Sequence, residues 1–421
     1  MKRIIFIWIT FALLLTSCSS SQPAPTMTAT SVPTNTPIPT ATATHVPMIE
    51  VDGIQVPDPK VINPELFDLG NPNSPIVQYA NAFGVEPENV GDLEPQLLIS
   101  TDKKQFVVLV TSNGYPLLIT DNENHWKSGL KDFMQKVRIR IGVYLEPGKN
   151  DYLIDQVAKR NFDDIVLPIF WHNIFANRDQ ANWNLPDSRA NLAGSEMGQF
   201  GGTLVWQNID FLPEWFKNGD VTEEQVRLMV RLIIKEYPEV NVWVPVNEPY
   251  ATDFFAQRIG YPNYVIIAFD EARKNTNALL ILNDFEIEAT GTPKYHQTKM
   301  LVEVLRSEGL IDGIGIQMHV NPNNHPSKET LIENFKSWEM DIYLTELDVP
   351  TENEQLKAKI FSDVLLAAIE SGVVKQINIW GLGKAAWREN GNLFNTSVQP
   401  TITLFELEKA LLAFLSVSSP K

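Results

Sequence analysis

From residue 137 to residue 380 the chain alternates between short apolar runs and amphipathic stretches. The apolar runs are VRIRIGVYL (137–145), FDDIVLPIF (162–170), GGTLVW (201–206), VNVWVPVN (240–247), ALLILND (278–284), IDGIGIQMH (311–319), MDIYLTEL (340–347) and VVKQINIW (373–380). Runs of this kind suit strands buried on both faces. Helix-like stretches lie between most of them. TEEQVRLMVRLIIKEY (222–237) keeps its apolar residues on one stripe and opens with Thr222 ahead of two glutamates, a capping signal. NYVIIAFDEARKNT, YHQTKMLVEVLRSEG and NEQLKAKIFSDVLLAAIESG behave similarly, and TITLFELEKALLAFL supplies a closing helix. Eight strand candidates alternating with helices predict an α/β protein, a closed (β/α)8 TIM barrel over 129–421. The same pattern also allows an open doubly wound sheet.

The segment upstream of the barrel reads differently. In KKQFVVLVTSNGYPLLITD (103–121), two apolar runs flank Ser112, Asn113 and Gly114, which predicts a hairpin. We read residues 48–128 as a small packed extension, with a separate binding module as the alternative. Residues 18–47, largely Thr, Pro, Ser and Ala, form no core and read as a disordered tether. Residues 1–17 place Lys2 and Arg3 ahead of an apolar run too short to span a membrane comfortably, which reads as an export signal. LTSC (15–18) resembles a bacterial lipoprotein processing box, which implies a lipid on Cys18. An uncleaved signal anchor is the alternative. Both readings put the bulk of the protein outside the cytoplasm, and the first anchors it by lipid to the bacterial cell envelope surface. Cys18 is the sole cysteine, so no intrachain disulfide can form and a large core must stabilise the fold.

The candidate chemistry sits where the apolar runs end. NVWVPVNEPY (241–250) starts as a buried strand and stops at an amide, a carboxylate and a proline. A carboxylate is costly to bury unless it is paired or useful. In a barrel of this type, chemistry gathers at the carboxyl ends of the strands. Asn247 and Glu248 end the fourth run, Asn283 and Asp284 the fifth, Gln317 and His319 the sixth, Glu346 the seventh and Trp380 the eighth. Two glutamates facing each other across a barrel mouth meet the needs of glycoside hydrolysis, in which one carboxyl donates a proton and the other attacks. A salt-bridged structural role is the alternative for each taken alone. The chain carries ten tryptophans, and Trp206, Trp380 and Trp387 fall at or just beyond strand ends, where an indole face can stack on a sugar ring.

Charge narrows the partners. The net charge of −17 leaves no basic footprint for nucleic acid. No glycine-rich phosphate cradle follows a strand. His319 and His325 have no third ligand at metal-binding spacing, so neither a metal nor an organic cofactor is expected.

Together these segments resemble glycoside hydrolase family 10, the retaining endo-1,4-β-xylanases, over roughly 129–415. WVPVNEPY resembles the acid/base segment, YLTELDVP (343–350) the nucleophile segment, DGIGIQMHV (312–320) and LLILNDFEIE the strand-six and strand-five signatures, LVWQNIDFLPEWF the strand-three segment and INIWGLGKAAW strand eight. NGNLFN (390–395) resembles the segment just after strand eight. The resemblance implies that Glu248 is the general acid/base and Glu346 the nucleophile. It implies that Asn247 bonds the sugar 2-hydroxyl, that Trp206 lies under the reacting sugar, and that Gln317 and His319 contact sugar and hold the nucleophile. It further implies that Asn283 contributes to substrate binding and that Trp380 and Trp387 border the cleft, on a β-linked polysaccharide such as xylan. The chain also departs from the family. A sugar-binding histidine is replaced within Gly201-Gly202, and a second is replaced by Gln207. Pro168 and Ile169 stand for a Glu-Asn pair, His172 falls where a glycone-gripping lysine would be, and the loop from Trp380 to Trp387 is short and lacks the usual aspartate. The alternatives are therefore a retaining β-glycosidase of other specificity and a non-catalytic surface polysaccharide-binding lipoprotein.

Overall fold

The computed structural model describes residues 46–99, 104–120, 125–149 and 151–417. The export signal, most of the tether and Cys18 lie outside these residues. Eight parallel strands close into a barrel in sequence order. They are β1 (Arg140–Val143), β2 (Asp164–Pro168), β3 (Gly198–Trp206), β4 (Val240–Asn247), β5 (Leu279–Asp284), β6 (Gly313–Ile316), β7 (Asp341–Leu347) and β8 (Val374–Ile379). β8 pairs with β1 through Gln376↔Arg140 to Ile379↔Val143, which completes the ring and settles the choice against an open sheet.

The principal helices are α1 (Tyr152–Asn161), α2 (Asn184–Ala193), α3 (Glu223–Glu236), α4 (Asn263–Asn275), α5 (Pro293–Ser307), α6 (Lys328–Ser337), α7 (Glu354–Ser371) and α8 (Ile402–Val417). The cap expected at Thr222 is a full capping box: its hydroxyl accepts from the Gln225 amide at 3.3 Å, and the Gln225 side chain accepts from the Thr222 amide at 2.9 Å. α2 has no clear apolar stripe because its buried face includes Arg189, whose guanidinium donates to the Leu145 carbonyl. That polar residue on an inner face hides the helix from periodicity.

Strand residues alternate between two cores. Phe200, Val166, Val242, Val244, Ile281 and Tyr343 point into the barrel, while Val205, Trp243, Leu280, Ile314 and Leu344 join the larger layer under the helices. The lengths are tuned to this packing at Gly201. It pairs with Trp243, and a β-carbon on it would fall 2.3 Å from the buried indole ring.

The predicted hairpin is present, Gln105–Thr111 pairing antiparallel with Pro116–Thr120. It belongs to a four-stranded sheet flanked by Leu93–Ile99 and Trp126–Lys127. The first of these escapes a pattern reading because Pro95 interrupts it, and proline is tolerated since the strand lies at the sheet edge. One face of this sheet, with Phe106, Val108 and Val110, merges with the helix-layer core. The opposite face, with Val107 and Leu109, builds its own cluster with Val51, Val56 and Trp126. Tyr79 of the extension also hydrogen-bonds Glu408 of α8 at 2.7 Å. The extension is therefore packed against the barrel.

Gly201→Ala forces the Trp243 ring to move or the β3–β4 pair to open. Overpacking of this kind costs about 1–3 kcal/mol. Urea unfolding should show a lowered midpoint with an unaltered slope; an unchanged midpoint contradicts the packing described.

Candidate active site

The carboxyl ends of the strands surround a cleft of about 860 Å³. Every residue singled out in the sequence for catalysis or sugar contact lines it: Glu248, Glu346, Asn247, Trp206, Gln317, His319, Asn283, Trp380, Trp387 and His172. Barrel register explains the convergence. Trp206, Asn247 and Asn283 are direct partners on β3, β4 and β5, so three distant segments arrive at one level.

Glu248 follows the last residue of β4 and has φ +50°, left-handed for a residue with a side chain. Such a conformation costs about 1–2 kcal/mol. Its amide is held by the Asn283 carbonyl at 2.9 Å. Its carboxylate accepts from Gln317 Nε2 at 2.7 Å and from Trp206 Nε1 at 3.0 Å. Burial, first of all, pushes the Glu248 carboxyl above the usual range; the two hydrogen bonds oppose this and the charge of Glu346 adds to it. The result is a carboxyl poised to keep its proton longer than an exposed glutamate does.

Glu346, on β7, is gripped differently. One oxygen accepts from Asn283 Nδ2 at 2.9 Å and the other faces His319 Nε2 at 3.2 Å. His319 in turn reaches Asp348 through Nδ1 at 3.0 Å, and Arg388 donates to Asp348 at 3.1 Å. Burial works against a charged imidazole, but the hydrogen bonds to Asp348 and Glu346 outweigh it and push the His319 pKa up to about 9. At neutral pH His319 is therefore an imidazolium donating to both carboxylates.

Asn283 joins the two halves. Its amide nitrogen donates to Asn247 Oδ1 and to Glu346 Oε1, both at 2.9 Å, and its oxygen accepts from Thr345 at 2.6 Å. The Thr345 bond crosses over β6, where a β-carbon on Gly315 would sit 2.6 Å from the Asn283 oxygen. Asp284 is fully buried, and burial raises its pKa to about 6 against the opposing charge of Lys294, 2.9 Å away.

The aromatic groups are braced by neighbours that line the same cleft. Trp380 stacks on Tyr144 with centroids 4.0 Å apart, and Trp206 stacks on Phe211 at 4.2 Å. Trp387 is 52% exposed at the lip, edge-on to His319. His172 packs against Phe170 and Phe211. Sequence reasoning did not single out Tyr144, Phe170, Phe211, Glu146, Glu286, Glu288, Arg388 or Asp348. Asp348 had a usable signal, since it lies two residues after Glu346 and so shares its side of a strand. The others lie in loops or strand interiors with no distinctive spacing.

His319 offers a direct check on this electrostatic arrangement. Its folded pKa lies above the ordinary value of about 6.5. Its contribution to stability is therefore complete below about 6.5 and lost as pH rises through about 9. Imidazole NMR should give a titration midpoint near 9, and the stability gap between wild type and His319→Asn should narrow across that window. A midpoint at or below 6.5 contradicts the bridge.

Comparison with known proteins bears on the fold and the family. The sequence model of glycosyl hydrolase family 10 matches residues 129–410. Endo-1,4-beta-xylanase B of Thermotoga neapolitana is 27% identical over 291 residues, covering 61% of this chain and 82% of that protein. Endo-1,4-beta-xylanase B of Neocallimastix patriciarum is 29% identical over 296 residues, covering 64% of this chain but only 34% of that longer protein. The structure of xylanase 10B from Thermotoga petrophila in complex with xylobiose superposes with a TM-score of 0.63 at 24% identity, covering 69% of this chain and 98% of that one. That likeness bears on the fold, and the match of the family model over the whole barrel decides the membership: this chain belongs to glycosyl hydrolase family 10.

Proposed function

We propose that the protein is an endo-acting, retaining glycoside hydrolase that cleaves β-1,4-xylan. The observation that carries this reading is the pair of glutamates in one cleft, tied together through the side chains of Asn283, Asn247 and Gln317. Family membership and the xylanase relatives support the substrate class.

Glu248 donates its proton to the glycosidic oxygen as the bond to the leaving sugar breaks. Its burial suits this role, because an acid must reach the complex still protonated. Glu346 attacks the anomeric carbon and forms a glycosyl-enzyme. Asn283 and His319 orient it, each on a separate oxygen. Asn247, fixed by Asn283, presents its amide to the ring hydroxyl next to the reacting carbon. Glu248, now ionised, takes a proton from water, which displaces Glu346 and releases product with the original configuration.

The replaced residues at the glycone end, Pro168 and Gly202 among them, favour one second reading: a retaining β-glycosidase acting on a different backbone. A binding lipoprotein without catalysis is the remaining alternative. For location we propose an extracytoplasmic protein tethered by lipid on Cys18, a reading that rests on residues 1–18 of the sequence.

Three measurements test these statements. Incubation with a panel of β-linked polymers should give new reducing ends most rapidly on xylan, with the product first formed in the β configuration by NMR. Release from another backbone alone selects the second reading, and no release from any selects the binding reading. Glu346→Ala should lower kcat on the order of 10⁴-fold or more while polysaccharide binding persists. Metabolic labelling with a fatty acid should place label on the wild-type protein and none on Cys18→Ala; an unlabelled wild-type protein in the membrane fraction instead indicates an uncleaved anchor.

A further inference from the structure

A buried polar contact joins the extension to the barrel, far from the cleft in the chain and independent of it. Tyr79 stands on the extension helix Pro75–Phe83, and Glu408 stands on α8. Glu408 is 3% exposed. The Tyr79 ring lies against Phe405, one turn before Glu408, with centroids 4.2 Å apart. Its hydroxyl is within hydrogen-bond distance of two oxygens at once, the Pro116 carbonyl at 2.5 Å and Glu408 Oε2 at 2.7 Å. Pro116 opens the strand Pro116–Thr120 of the extension sheet.

The protons around Tyr79 can be counted. A phenol carries one hydrogen, and a backbone carbonyl only accepts. One hydrogen does not lie along both lines. If Tyr79 donates to Pro116, Glu408 supplies the second hydrogen and donates to the phenolic oxygen. That arrangement needs the neutral acid. With Glu408 ionised, two acceptors face Tyr79 across a single hydrogen. One of them then meets the phenolic oxygen with no hydrogen between, which in a buried place costs the full loss of a bond.

The titratable groups nearby do not reverse this count. Arg160 of α1 faces Glu408, but its charge also acts on Tyr79, Asp132 and Glu65, and it donates to Ser128 at 2.6 Å. Burial outweighs both Arg160 and the Tyr79 bond and pushes the Glu408 carboxyl up to about 8. Burial likewise holds the Tyr79 phenol well above its usual range, so it keeps its own proton. The neighbours on α8 are turned elsewhere: Glu406 bonds Tyr115, and Lys409 lies over the same ring. On α7, Glu354 pairs with Lys357 and accepts from Thr403.

We propose that Glu408 is held as the neutral acid and that its proton fastens the extension to the barrel, which makes docking of the extension proton-linked. When the contact opens into water, the carboxyl returns to its ordinary value of 4.5 and gives up the proton. The docked form therefore binds one proton more than the open form between 4.5 and about 8. Docking is strongest below that window. Through it the open fraction rises about tenfold with each pH unit, and above it the rise levels off. The barrel and its cleft keep their fold throughout, so the device acts on the extension and not on the chemistry.

Two measurements on the full chain test it. With carbon-13 in the glutamate carboxyl groups, the signal that disappears in Glu408→Gln should titrate with a midpoint near 8. A midpoint at or below 4.5 overturns the proposal and makes the contact an ordinary carboxylate–phenol bond with Arg160 as counter-charge. Amide hydrogen exchange reads the docking itself, in the helix Pro75–Phe83 and the strand Pro116–Thr120. The side-chain amide of Glu408→Gln donates to Tyr79 at every pH, so this variant is the reference. The wild-type rate divided by the variant rate should rise about tenfold per pH unit between pH 5 and pH 8. A flat ratio overturns the link between the proton and docking. Should Glu408→Gln fail to fold, Glu408→Met, which does not titrate either, serves as the reference for both measurements with the same expected outcomes.

Discussion

The site depends on the side chain of Asn283. Its amide nitrogen bonds both Asn247 and Glu346, and its oxygen takes the hydroxyl of Thr345. These partners come from β4 and β7, on either side of the strand that carries Asn283 and the glycine strand beyond it. A carboxylate in a half-buried cleft needs donors, and without them it would hold no fixed position against its neighbours. One amide supplies both needs. It fixes Glu346 and sets the orientation of Asn247 without contributing chemistry itself.

The two glutamates differ because their donors differ. Glu248 is bonded by neutral groups, the Gln317 amide and the Trp206 indole, and burial dominates its titration. Glu346 faces a charged one, His319, whose proton is held in place by Asp348 and through it by Arg388. Two glutamates can thus stand in one cleft in unlike surroundings, with the difference written into the neighbours rather than into the residue type.

The same barrel supports a polar half and an apolar half of the cleft because inward-facing positions are set strand by strand. β4 shows both characters within a few residues: Val242 and Val244 face the barrel interior, and Asn247 at its end faces the cleft. Away from the cleft, the packed extension closes over the helix layer with Phe106, Val108 and Val110. The same strand turns Val107 and Leu109 to a separate small core, so a single alternating run bonds two layers.

The eight apolar runs were sufficient to read eight buried strands of an α/β fold, since strands buried on both faces must be apolar throughout, but closure into a barrel rather than an open sheet was settled only by the pairing of β8 with β1. The polar residues that end them marked the candidate catalytic pair, because a glutamate closing an apolar run has few structural excuses. The edge strand Leu93–Ile99 and helix α2 were not legible, as Pro95 and the buried Arg189 break the periodicities that reveal such elements. Nor was the work of Asn283 or the two-sided grip on His319. Each of these is a relation among residues far apart in the chain, fixed by barrel register and by which neighbour happens to lack a side chain. Sequence determined which groups stand at the strand ends; only the closed barrel decided which of them touch, because hydrogen bonds and cavities depend on distances of a few ångströms that periodicity does not encode.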